Sequence, residues 1–464
     1  MFILLLLVIN NAYTQPLAKK LAIAVQQLEA DSQMRHAIIG LSVYNSKTGR
    51  PVYEHNAQVG LAPASTQKLF TSCAAFDLLG KQYQYKTEIG YDDVNAGKKR
   101  GYFIIRSSAD PSFGSYRFVS TRPDTILERI AEGILRKNLH SPFVAFRVFD
   151  SLHSYNKLPG GWIWEDIGNY YGAAAHGLNW MENQFDIVFR SNGRIGGETF
   201  ITETKPSGIA VDLRNKVTAA EKGSGDNTIV YLSYGRLPAV VEGTIPINEN
   251  AFKVSASIAD PSGAFLLQLE DRLKRSDING IVINEQQLND FDAIGDSIVS
   301  YKELYTHFSP PFDTLNYWFL KKSINLYGEA FIKTMAQKKW GTGSTEKGVE
   351  LLKDFWNRHG IEKSALHICD GSGLSPQNRV TAAALVNALQ YAKTRPWFSS
   401  FYYALPEYNG MKMKSGSIAG ARAYAGYHVS GDGNEYSFAI IINNYDGPSS
   451  AVVKKMYKLL DNLK

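Results

Sequence analysis

The two ends of this 464-residue chain carry complementary parts of one sheet. Leu17 to Ala30 has helical periodicity, and Ile38–Tyr44 and Pro51–Glu54 read as strands joined by Ser46-Lys47-Thr48-Gly49. Far downstream, strands are expected at Met411–Ser415, Ala421–Val429 and Tyr436–Asn443, then an amphipathic helix from Ser449 to Leu463. Terminal segments of this kind can pair into one antiparallel sheet flanked by helices. From about Gln84 to Ile281 the character changes. Short β-like runs (Tyr102–Arg106, Phe143–Phe149, Phe185–Phe189, Thr228–Leu232) alternate with Gly, Asn and Asp turns. Around Asn284 the chain turns helical again, with helices expected at Tyr327–Lys339, Glu346–His359 and Thr381–Lys393. The expected fold is α/β of the α+β kind. A discontinuous domain, residues 15–83 and 284–464, is interrupted by a large, mostly β insertion, residues 84–283, of two smaller nested domains.

Phe2 to Ile9 is an apolar run too short to anchor in a bilayer. With small residues at Ala12 and Thr14, residues 1–14 read as a signal peptide, and export is expected. The net charge of +6 is dispersed, which suits an anionic cell envelope better than nucleic acid. The two cysteines, Cys73 and Cys369, sit in apolar surroundings and are expected as free thiols. The nine histidines are scattered and no H-E-x-x-H occurs, so neither a metal nor a cofactor is expected.

Ser65-Thr66-Gln67-Lys68 precedes an apolar run, Leu69 to Phe76, that reads as a buried helix with Pro63 near its start. Residues three apart share a helix face, so Ser65 and Lys68 point together. A serine becomes a nucleophile when a base takes its proton. Lysine is that base only when neutral, far below its usual pKa of about 10.4, which burial or a second cation achieves. The tetrad alone is weak evidence. Ser154-Tyr155-Asn156-Lys157 and Ser344-Thr345-Glu346-Lys347 share the spacing, the first in a Pro-Gly loop and the second at the polar start of a helix.

Acyl transfer also needs a proton path and an oxyanion hole. Ser323-Ile324-Asn325 places a hydroxyl and an amide at a loop-to-helix junction. Lys414-Ser415-Gly416-Ser417 closes an alternating strand. There Lys414 offers a charge and Ser415 a hydroxyl to a substrate carboxylate, and Gly416 admits a substrate backbone. The Ser417 and Ser65 N–H groups would form the oxyanion hole. The literal K-T-G, Lys47-Thr48-Gly49, lies in a hairpin turn and reads as structure.

The ordered set S-x-x-K, S-x-N, K-[ST]-G resembles the penicillin-binding proteins and serine β-lactamases. The long interval between Lys68 and Ser323 is similar to that of the class C low-molecular-mass penicillin-binding proteins, the D-alanyl-D-alanine carboxypeptidase/endopeptidases. So are Ser108-Ala109-Asp110-Pro111-Ser112, Trp162-Ile163-Trp164-Glu165-Asp166, Tyr170-Tyr171-Gly172-Ala173 and Asp370-Gly371-Ser372-Gly373-Leu374-Ser375. The resemblance implies a serine β-lactamase/transpeptidase-like domain, with Ser65 as nucleophile, Lys68 as base, Ser323 and Asn325 in the proton relay, and Lys414 and Ser415 at the carboxylate. It implies Trp162, Glu165 and Tyr170 as a wall near the donor-peptide side chain. It implies a periplasmic enzyme acting on peptidoglycan stem peptides and inhibited by β-lactam antibiotics. Two features depart from the family pattern: K-S-G replaces K-T-G, and Pro376 stands where some members have Arg. A β-lactamase or a relic scaffold are the competing readings; no class A E-x-x-L-N element stands in a plausible place and the long insert opposes the first, and the intact trio opposes the second.

Overall fold

The computed structural model describes residues 14–92, 101–137, 143–150, 157–207, 211–232, 238–278 and 301–464, with Leu139, Leu152 and Ile209. The expected signal segment lies outside the described residues apart from Thr14, which opens the first helix, Thr14–Glu29. Of Ser154–Lys157, only Lys157 is described.

The two chain ends meet in one six-stranded antiparallel sheet. Its order is Glu407–Tyr408, Met411–Ile418, Ala421–Val429, Glu435–Asn443, Ile38–Asn45, Pro51–His55. Ile38 lies opposite Asn443 and Asn45 opposite Tyr436. Both faces are covered, so the central strands are apolar on both sides. Phe438, Ile440 and Ile442 bury against the terminal helices Thr14–Glu29 and Ser449–Leu460 through Leu21, Val25, Val452 and Met456. Ala439 and Ile441 turn the other way, with Ala423 and Ala425, onto a larger helical layer. The small alanines let helices lie close on that face. At its centre is the helix Lys68–Leu78, whose Leu69, Phe70, Cys73 and Phe76 are buried. Phe70 meets Trp356 of the helix Thr345–Arg358 edge-on at 5.5 Å.

Lys47-Thr48-Gly49 is the turn between Ile38–Asn45 and Pro51–His55. Asn45 Oδ1 accepts from the N–H groups of Lys47 and Thr48, and Gly49 takes φ +68°.

Among the described residues, the central region holds three further sheets. One orders Tyr301–Phe308, Lys86–Asp92, Gly101–Ser107 and Phe143–Asp150. The last two strands run parallel, and the helix Pro123–Arg136 lies between them in sequence. That helix was not expected from the β-like reading. The other two sheets have three strands each, centred on Gln184–Ser191 and Ala239–Pro246. One core joins all three sheets, with Ile89, Phe103, Ile126, Trp180, Val241 and Phe265 buried in it. Tyr301–Phe308 lies past residue 283, in a stretch expected to be helical and outside the insertion. It nevertheless pairs with Lys86–Asp92 of the inserted sheet.

Candidate active site

The Ser65 turn is wedged between the open edge of the six-stranded sheet and a loop at residues 370–375. Ala64–Gln67 forms a single 3-10 turn, after which Lys68 begins the α-helix. Two glycines permit the wedge. A Cβ on Gly416 would stand 2.4 Å from the Pro63 carbonyl oxygen and 3.1 Å from Ser65 N. One on Gly373, at φ +83°, would stand 2.0 Å from the Ala64 carbonyl oxygen. Gly416 therefore admits the Pro63–Ser65 backbone, where the sequence suggested a substrate backbone.

Lys68 is fully buried. Its Nζ lies 2.9 Å from Ser65 Oγ, 2.6 Å from Asn325 Oδ1 and 2.7 Å from the Ser372 carbonyl oxygen. Burial draws its pKa down to about 7, against the opposing pull of the Asp370 and Glu329 carboxyl groups. Asn325 opens the helix Asn325–Trp340 and donates Nδ2–H to the Tyr171 carbonyl at 2.7 Å. That bond turns Oδ1 toward Lys68. Ser323, two residues earlier, is half-buried at φ +59°, and its hydroxyl has no hydrogen-bond partner among the described residues. A left-handed serine costs on the order of 1–3 kcal/mol and persists only where its surroundings enforce it.

The strand Met411–Ile418 has a readable edge. It turns through Ala419-Gly420 into Ala421–Val429, pairing Ile418 with Ala421 and Lys414 with Ala425. Antiparallel bonding alternates, so Met413, Ser415 and Ser417 direct their N–H and C=O groups to the outer edge. Met413 N–H duly donates to the Pro406 carbonyl at 3.0 Å. The short strand Glu407–Tyr408 covers only the start of that edge. The Ser417 N–H faces that outer edge, one residue past Gly416, whose Cβ position adjoins Ser65 N. Lys414 is buried and donates to the Ser415 carbonyl at 2.8 Å. Burial, then the neighbouring Lys68 charge, push its pKa well below the usual lysine value. Ser415 faces Tyr424 across the strand pair, with its hydroxyl 3.4 Å from the Tyr408 hydroxyl.

Asp370 organises the loop. Its carboxylate accepts from Gln67 Nε2, Gly373 N, Asn378 Nδ2, Ser375 N and Trp162 Nε1 at 2.7–3.0 Å. Trp162 therefore reaches the 370–375 loop from a distant part of the chain. Glu165 and Tyr170 stay exposed, and neither side chain makes a hydrogen bond among the described residues; Tyr170 packs on Tyr171 at 5.4 Å. Of the expected wall, only Trp162 is tied into the loop. The residues that sequence reasoning missed as parts of the site are Asp370, Glu329 and the carbonyls of Ser372 and Tyr171. The D-G-S-G-L-S string signalled the loop, but a carbonyl acceptor leaves no side-chain signature. Cys73 and Cys369 are both free, Cys73 buried and Cys369 only half-buried.

A helix-borne serine and buried lysine beside a sheet edge define a serine acyl-transfer enzyme of the β-lactamase/transpeptidase fold. Residues 21–407 match the D-Ala-D-Ala carboxypeptidase 3 (S13) family, and the chain belongs to that family. It is a class C low-molecular-mass penicillin-binding protein and a serine hydrolase of the D-Ala-D-Ala carboxypeptidase kind. It is 23% identical over 456 residues to a D-alanyl-D-alanine carboxypeptidase from an Actinomadura species, covering 91% of this chain and 81% of that protein. It is 23% identical over 434 residues to the D-alanyl-D-alanine carboxypeptidase DacB of Haemophilus influenzae, covering 88% and 85%. The crystal structure of penicillin binding protein 4 (dacB) from Haemophilus influenzae shares the fold, with TM-score 0.75 at 18% identity, over 96% of this chain and 99% of that one. Among the described residues, no helix is long and apolar enough to cross a membrane.

Proposed function

We propose that Ser65 attacks the D-Ala-D-Ala bond of peptidoglycan stem peptides, or the corresponding cross-link, to form an ester that water then hydrolyses. The observation that carries this is the environment of Lys68. Neutral lysine has two N–H donors and one lone pair. Asn325 Oδ1 and the Ser372 carbonyl are pure acceptors and take both N–H groups. The lone pair is left for the Ser65 O–H at 2.9 Å. Lys68 takes that proton as Ser65 Oγ bonds to the substrate carbonyl carbon. The oxyanion is held by the N–H groups of Ser65 and Ser417, worth roughly a hundredfold per donor in such sites. The proton then passes from Lys68 through the Ser323 hydroxyl to the departing amine.

Lys414 and Ser415 receive the terminal carboxylate. An arriving anion restores the Lys414 charge that burial and Lys68 depress. A β-lactam follows the same first step, but its leaving amine stays attached. Trp162 supports the loop, and Glu165 and Tyr170 border the donor-peptide side. In this reading residues 15–83 and 284–464 form the catalytic part, 84–283 the inserted part, and Tyr301–Phe308 reaches back into the insert's sheet. The enzyme works in the periplasm after loss of residues 1–14.

The test is intact-protein mass after incubation with benzylpenicillin, beside Ser65→Ala. An adduct of the drug's mass, absent from the variant, is expected. Folded wild-type protein that neither gains the adduct nor consumes the drug would overturn the assignment.

A further inference from the structure

Asn325, Glu329 and Lys333 stand four residues apart on the helix Asn325–Trp340, so they share one face, and all three are buried. Asn325 serves Lys68. Lys333 donates to the Ala175 and Lys157 carbonyls. Glu329 has no part in the proposed chemistry, yet it lies beneath the loop that supplies the Ser372 carbonyl. Gly371 N–H is 3.1 Å from each Glu329 carboxyl oxygen, so one donor is shared between two acceptors. On the other side of the same residue, the Thr71 hydroxyl donates to the Gly371 carbonyl at 2.7 Å.

Backbone contact makes this reach possible. A Cβ on Gly371 would stand 2.4 Å from the Gly328 carbonyl oxygen, and one on Gly328 would stand 2.8 Å from the Phe319 ring and 3.1 Å from the Gly371 carbonyl oxygen. The helix and loop touch glycine to glycine, and the next helical residue clamps the loop. Gly371 is thus gripped at both N–H and C=O, and the following carbonyl, that of Ser372, is aimed at Lys68 Nζ.

The charge state of Glu329 decides what the clamp does. It faces Asp370 from the loop, Lys68 from the helix Lys68–Leu78 and Lys333 from its own helix. An ionised Glu329 favours the ammonium form of Lys68 and so opposes the base. The shared Gly371 N–H, the buried Ser372 hydroxyl and the Lys333 charge favour the ionised form, but burial and the Asp370 charge outweigh them. We propose that Glu329 is a positioning residue that works as a neutral carboxylic acid, holding Gly371 so that the Ser372 carbonyl takes an N–H of Lys68 without adding a charge that would keep the lysine protonated. Burial first, and the Asp370 charge second, raise its pKa well above the usual carboxylate range, in keeping with this state.

The inference rests on the reading of Ser65 and Lys68 given above. The experiment measures acylation by a fluorescent penicillin across pH for wild type, Ser65→Ala, Glu329→Gln and Glu329→Ala. Glu329→Gln keeps an acceptor without a charge. Its acylation rate is expected to fall about two- to fivefold, with the acid limb of the profile within about 0.3 pH unit of wild type. Glu329→Ala frees the loop and is expected to lose roughly 10- to 100-fold in acylation rate constant with little change in penicillin affinity. A downward shift of the acid limb by about one unit or more in Glu329→Gln would mean that Glu329 acts as a charged partner of Lys68, and would overturn the inference. So would an unchanged rate in Glu329→Ala. Infrared spectra of wild type made with carboxyl-13C glutamate need no variant to fold. A label-shifted carboxylic-acid C=O band is expected at neutral pH and should weaken as the pH is raised further. Its absence at neutral pH would overturn the proposal. Acylation of Ser65→Ala at the wild-type rate would instead sink the underlying reading.

Discussion

Ser65-Thr66-Gln67-Lys68 and Ser344-Thr345-Glu346-Lys347 spell the same S-T-x-K tetrad at helix starts, and the fold treats them oppositely. Ser65 sits in a 3-10 turn pressed between a sheet edge and the Asp370 loop, and its lysine is sealed from solvent. Ser344 caps an ordinary surface helix, its hydroxyl accepting from Lys347 N–H at 3.2 Å. Lys347 reaches outward to Glu350 at 2.9 Å, with half its side chain exposed. The local sequence is nearly identical, so the difference comes from distant residues. Asn325 and Ser372 lie 257 and 304 positions from Lys68 and supply acceptors that Lys347 lacks. In the proposed chemistry, a tetrad becomes catalytic when the surrounding fold removes water from the lysine and leaves its lone pair nowhere to go but the serine.

The comparison breaks most sharply by deletion. Ser65→Ala and Lys68→Ala are expected to lower penicillin acylation by at least about a thousandfold, measured as adduct formation per unit time. Ser344→Ala and Lys347→Ala should leave it at the wild-type rate. Equal damage from Lys347→Ala would dissolve the distinction.

Next in size are the glycines beside each tetrad. Gly416→Ala puts a methyl against the Pro63 carbonyl and Ser65 N, parting the strand from the nucleophile turn. About a hundredfold loss of acylation is expected, because the Ser417 N–H leaves its station. Gly341 ends the helix Asn325–Trp340 at φ +75° in open space, close in sequence to Ser344. Gly341→Ala should cost roughly 1 kcal/mol in a denaturant titration through backbone strain and leave the rate alone.

The pH dependence follows Lys68. Acylation should rise about tenfold from pH 6 to pH 8 as Lys68 loses its proton near pH 7. The stability effect has a definite sign. Burial lowers the pKa of folded Lys68, so the cost of its charge is present in full below about pH 7. It is relieved as pH rises toward the unfolded value of about 10.4, because there the unfolded chain binds the extra proton. The difference in melting temperature between Lys68→Met and wild type should therefore change in wild type's favour between pH 7 and pH 10. A constant difference would mean that Lys68 is charged in the fold throughout.

The same contrast explains what could be read in advance. The meeting of the chain ends was legible because Ile38–Asn45 and Glu435–Asn443 carry apolar runs that a doubly covered sheet requires. The ordered motifs were legible because hydroxyl, amide and amine side chains announce themselves at fixed spacings. The strand Tyr301–Phe308 was not: its exposed Lys302 and Glu303 interrupt any β-like run. The helix Pro123–Arg136 had a signal that the β reading passed over, since Ile126, Leu127, Ile130 and Ile134 repeat with helical spacing behind an N-terminal proline. The Ser372 and Tyr171 carbonyls had none, since every residue carries one. Glu329 stood in plain view at four residues from Asn325, but only the glycine-to-glycine contact with the loop gives that spacing a meaning.

The smallest expected effect isolates what a helix-start serine does when nothing else is asked of it. Ser344→Ala removes the acceptor for Lys347 N–H, an orphan donor of the first helical turn. The cost should be about 1 kcal/mol in denaturant unfolding, with acylation unchanged. Thermodynamically, Ser65 has no comparable duty: its side chain accepts no cap hydrogen bond, and the turn is held by backbone bonds and by the Thr66 hydroxyl on the Pro63 carbonyl. Ser65→Ala should therefore fall within about 0.5 kcal/mol of wild type in the same titration. The two serines then give opposite results in two assays, one lost in stability and silent in chemistry, the other the reverse. A stability loss in Ser65→Ala as large as that in Ser344→Ala would mean that the nucleophile also holds its own turn together.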